Sequence, residues 1–191
     1  MLLCASALPV AAQQVEEWMR AGPEALLDIL QEAADESDLR YTAGWGVRLW
    51  RWKFGEVADG ELPASVFVGD DIFVSCRFDA ETRRLLRLRV TCLLNESLPQ
   101  AYRSGVSGTY GSILGYAIAA GTGDDVGGAM RVHDALVEHL STYDDDRGEA
   151  RGTDGRRTRE AAYAVERADY DFSYTVRDGS LTMRFGVVWK D

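Results

Sequence analysis

Lysine is almost missing from this chain: Lys53 and Lys190 are the only two among 191 residues, and histidine also occurs twice, at His133 and His139. Cysteine occurs three times and proline four. Acidic side chains outnumber Lys and Arg by 31 to 21, for a formal net charge of −10. The chain therefore lacks the cationic surplus with which a general nucleic-acid binder neutralises phosphates, and nucleic acid is excluded as a partner. The same balance argues against an anionic membrane surface. No apolar run reaches the roughly 20 residues that a helix needs to cross hydrocarbon, so no membrane span is expected.

Recognisable chemistry is equally sparse. His133 and His139 lie six residues apart on a predicted helix over 129–143 and point in different directions, so they cannot share one metal. Gly105-Val106-Ser107-Gly108-Thr109 is shaped like a nucleophile elbow without its second glycine. Gly121-Thr122-Gly123-Asp124-Asp125-Val126-Gly127-Gly128 is glycine-rich like a phosphate loop, but its aspartates stand where phosphate would sit. Asp144-Asp145-Asp146 with Glu149 and Asp154 offers oxygens for calcium. The glycine and terminal glutamate of a calcium loop fall in the wrong places, and Arg147, Arg151, Arg156 and Arg157 compete for the carboxylates. No cofactor and no metal site is implied.

What is present begins with an uncharged apolar opening. Leu2 to Ala12 ends in Val10-Ala11-Ala12 before Gln13-Gln14, small residues where a signal peptidase cuts. Residues 1–12 are read as the remnant of a secretory signal that lacks its basic n-region, and export to a periplasm or medium is the expectation. The rest, 13–191, is expected to form one globular domain, with five Trp, eight Tyr and an apolar fraction of 46% to fill a core. Asp144 to Arg157 is charged and aperiodic, and reads as a mobile loop.

Residues 14–36 read as helix, interrupted at Gly22-Pro23, with Leu26, Leu27 and Leu30 on one face. From Trp45 to Leu94 the period becomes two, as in a meander of strands. Ile72, Val74, Cys76 and Phe78 alternate along one strand; Leu86, Leu88, Val90 and Cys92 alternate along the next. Pairing Phe78 with Arg84 and Cys76 with Leu86 turns both sets inward and places Cys92 about 20 Å from Cys76, which favours two thiols over a bridge. Residues 104–128 fit strand or helix equally, because glycine weakens both. A short helix is expected over 158–167. Asp178-Gly179 between Tyr170–Val176 and Leu181–Val187 predicts a two-residue hairpin that faces Val176 with Leu181, Tyr174 with Met183 and Phe172 with Phe185. The expected fold is α+β: an antiparallel sheet, made of the 45–94 meander and the 169–189 hairpin, with flanking helices.

Two sets of side chains are candidates for binding. In the hairpin register above Arg87 and Arg89 point away from the core and Arg77 shares their face, a basic stripe on an acidic protein that would receive carboxylates or phosphates. The competing reading covers the stripe with acidic helix residues such as Glu32 or Asp28. Trp50 and Trp52, which share a strand face with Phe54, would stack on sugar rings if exposed, or fill the core if not. No catalytic residues can be assigned. The expectation is a non-catalytic exported domain that recognises a protein or an envelope polymer through a sheet face; a small secreted hydrolase is the alternative.

Overall fold

The computed structural model describes residues 22–36, 50–122, 157–165 and 167–190. It is an α+β fold with helix α1 (Pro23–Glu36), strands β1 (Lys53–Phe54), β2 (Glu61–Val68), β3 (Ile72–Asp79) and β4 (Leu85–Asn95), helix α2 (Gln100–Thr122), and strands β5 (Arg157–Ala164), β6 (Ala168–Arg177) and β7 (Ser180–Trp189). The strands form one antiparallel sheet in the order β1-β2-β3-β4-β7-β6-β5. The C-terminal hairpin thus docks its second strand on the end of the meander.

Local chemistry explains most of these elements. Pro23 opens α1, where its missing N–H costs nothing and its fixed φ is helical. Leu26, Leu30 and Ala34 are buried at helical spacing. In the β6–β7 turn Asp178 and Gly179 have φ of 50° and 72°, as a two-residue hairpin turn of the twisted kind requires. The pairs Val176–Leu181, Tyr174–Met183 and Phe172–Phe185 all form as expected.

The β3–β4 hairpin differs by two residues from the expected register. Cys76 faces Leu88, Val74 faces Val90 and Ile72 faces Cys92, with an irregularity beside Phe78 that skips Leu86. The bulge lets Leu85, fully buried, take the inward place expected of Leu86. Beyond the bulge the slip of two residues preserves each facing, because strand side chains repeat with period two. Cys76 and Cys92 are buried free thiols, set apart by four residues along the ladder, about 14 Å.

Residues 158–164, expected to be helical, lie in β5 and pair with β6 over their whole length. The alanines Ala161, Ala162 and Ala164 favour helix locally, but the unpaired edge of β6 supplies a ladder, and tertiary pairing prevails over propensity. The undecided segment is helix α2 up to Thr122. Val106, Tyr110, Ile113, Leu114 and Ala117 are buried on one stripe, and Gly111 and Gly115 sit in open space away from it. The strand expected from Val47 to Phe54 is shorter among the described residues, covering Lys53–Phe54 only. The expected helix at 129–143, both histidines, the leader and the expected loop at 144–157 lie outside the described residues, except Arg157, which opens β5 and pairs with Val176.

Alternate residues of β2, β3, β4, β6 and β7 join α1 and α2 in one apolar core. α2 packs against β4, β7 and α1. Both described helices contribute to this core face.

Candidate functional site

The open face is best followed along its rungs. One runs across all seven strands as Lys53, Ser65, Ser75, Arg89, Gly186, Asp171 and Ala162. The next holds Pro63, Arg77, Arg87, Val188 and Asp169. Rungs on one face recur about 7 Å apart along a strand and neighbours about 4.8 Å apart across it. The two rungs bring Arg77, Arg87 and Arg89 together, as the sequence predicts, and add Lys53, Ser65 and Ser75, which sequence reading missed. Their signal was faint: the serines became neighbours of the arginines only when β2 and β3 paired.

These side chains line a groove of about 530 Å³. Its floor is low because Ser65 and Ser75 are small. One wall is β1 and the bend after it. Gly55 donates its N–H to the Pro63 carbonyl at 2.9 Å and approaches so closely that a Cβ would lie 2.8 Å from Pro63 Cγ. The opposite wall is Asp171, whose carboxylate lies over Gly186: a Cβ there would stand 2.0 Å from Asp171 Oδ1. Gly186 thereby lets Asp171 cross β7 and reach Arg89 Nη2 at 4.0 Å.

Neither Glu32 nor Asp28 covers the arginines. Among the described residues their acidic neighbours come from the sheet itself: Glu61 receives Arg87 Nη2 at 3.2 Å and Arg77 Nε at 3.9 Å. These contacts leave the guanidinium groups in water, with the Arg87 and Arg89 side chains 58% and 61% exposed. Pairs this exposed are weakly held and can be exchanged for an incoming anion.

Trp50 and Trp52 do not join the groove. Both are half-buried against the core. Trp52 meets Phe78 edge-on at a centroid distance of 6.0 Å and donates its indole N–H to the Pro23 carbonyl at 2.5 Å. It anchors the entry to β1 on the start of α1, and its polar atom is occupied there.

Neither described cysteine is prepared as a nucleophile. Burial pushes the Cys76 thiol well above its usual range, and burial together with the Asp71 carboxylate pushes Cys92 up to about 12. Ser107 of the elbow-like segment lies within the body of α2, where Thr109 Oγ1 donates back to the Gly105 carbonyl at 3.2 Å, and no strand-to-helix turn exists there. Among the described residues no three His, Cys, Asp or Glu side chains gather as a metal site, and no helix is long and apolar enough to cross a membrane.

Comparison with protein-family models, curated proteins and solved structures finds no match.

Proposed function

We propose that the protein is an exported, non-catalytic binding domain that recognises an acidic protein or envelope polymer through its open sheet face. The observation that carries this reading is the clustering of Arg77, Arg87 and Arg89 in one groove, exposed, on a chain whose formal net charge is −10. An acidic protein tends to repel acidic partners, so a local cationic groove directs where such a partner can settle. Export rests on the apolar leader and its Val10-Ala11-Ala12 terminus.

Poly-L-glutamate is the simplest probe. The full chain should bind it with an affinity that falls as salt rises, and Arg87→Gln with Arg89→Gln should weaken binding by about tenfold or more, the usual consequence of losing charge-assisted hydrogen bonds. Binding unchanged in the folded double variant, or no binding by the unaltered chain, would overturn the carboxylate-partner reading.

A further inference from the structure

We infer that the groove is built for a phosphomonoester carried by the partner, in preference to a single carboxylate; this rests on the reading of the open face as the binding surface. Charge favours phosphate. Among the described residues, Lys53, Arg77, Arg87 and Arg89 stand against Asp171 and Glu61, a surplus of two positive charges around one groove, while Asp169 on the Arg87 rung is held by Lys190 Nζ at 2.7 Å. A carboxylate cancels one of them; a phosphomonoester carries about −1.5 to −2 near neutral pH and cancels nearly both.

The donor set points the same way. Arg87 and Arg89 lie two residues apart on β4, on the same face, and Ser75 pairs with Arg89 across the ladder while Ser65 pairs with Ser75. Two guanidinium forks, two hydroxyls and the Lys53 ammonium offer more donors than the two oxygens of a carboxylate can accept. Three phosphoryl oxygens use such a set more fully, and arginine forks match them bidentately. Room favours it too. Ser65 and Ser75 at the floor keep the groove low beside the cations, where larger side chains would fill the space a tetrahedral group needs.

Glu61 and Asp171 act in this scheme as resident anions that hold the arginines extended until the ligand displaces them. That gives the proposal a distinctive sign. Removing a cation should weaken binding, and neutralising a resident carboxylate should strengthen it.

The test is a titration of the isotopically labelled full chain at constant ionic strength and pH 7.5, following the amide signals of Ser65, Ser75 and Gly186. The probes are inorganic phosphate, a short phosphoserine peptide, dimethyl phosphate, acetate and poly-L-glutamate. The phosphoserine peptide and inorganic phosphate should each bind at least tenfold more tightly than dimethyl phosphate or acetate, with the peptide no weaker than the free ion. Arg89→Gln should weaken the peptide about tenfold, and Asp171→Asn should tighten it severalfold. Arg87→Gln replaces Arg89→Gln should the latter fail to fold.

Acetate or dimethyl phosphate binding as tightly as the peptide would overturn the phosphomonoester assignment. So would a free ion that binds more than tenfold tighter than the peptide, or an Asp171→Asn variant that binds it more weakly. Poly-L-glutamate distinguishes the two levels. If it binds through the arginines while the phosphoserine peptide does not, only the assignment to phosphate falls. If neither binds, the acidic-partner reading falls with it.

Discussion

The two faces of this sheet are made from the same strands and differ in what each residue is asked to do. On the core face Val90, Phe185 and Phe172 stand in one rung, all buried, and Phe185 touches both Phe172 and Tyr170 at centroid distances of 5.1 and 5.9 Å. On the open face, one residue further along, the rung reads Ser75, Arg89, Gly186 and Asp171. The first face gains its free energy from removing apolar area from water and tolerates no gap. On the second the Arg87 and Arg89 side chains are exposed, their pairs to Glu61 and Asp171 are correspondingly weak, and Ser65 and Ser75 leave space. One face holds the fold, while the other carries the charged side chains of the groove.

The comparison would break first at Phe185. Its replacement, Phe185→Ala, should cost about 3–5 kcal/mol, as for other large aromatic truncations in packed cores, measured by denaturant unfolding. A loss of under 1 kcal/mol would show that the core face is not packed as described.

A sharper version uses the same residue type on the opposite side. Phe67 is 61% exposed and leans on Phe73 at 5.0 Å between centroids. Phe67→Ala should cost only about 1 kcal/mol, the size of one surface aromatic pair. A cost near that of Phe185→Ala would mean that the open face is covered in the folded protein.

The smallest effect is expected at the arginines. Arg87→Gln with Arg89→Gln removes exposed pairs to Glu61 and Asp171, and thermal or chemical unfolding should shift by about 0.5 kcal/mol or less. Stability that falls by several kcal/mol would make these arginines structural members of the sheet, and would leave the binding proposal without its electrostatic basis.

How much of this was legible follows from what period-two alternation can and cannot encode. It shows which face a side chain takes, so the outward facing of Arg77, Arg87 and Arg89 was readable. It cannot distinguish registers two residues apart, so the bulge at Leu86 and the pairing of Cys76 with Leu88 were not. In α2 the buried stripe from Val106 to Ala117 carried a helical signal that the neighbouring glycines obscured. Edge strand β5 was misread because its alanines report only local preference, and the exposed ladder of β6 is a non-local fact.

The sequence by itself determined the α+β class, the first described helix from its proline and apolar stripe, and the C-terminal hairpin with its register. Those features depend on contacts between residues close along the chain: a cap, a turn at positive φ, an alternation. Only the tertiary structure decided that β7 docks on β4, bringing Gly186 beside Arg89 and Asp171 within its reach, and that Ser65 and Ser75 complete the rung. Arg89 and Gly186 are nearly a hundred positions apart in the chain, and no local pattern at either could announce the other. The groove is a property of strand order, which the packing of the whole core selects.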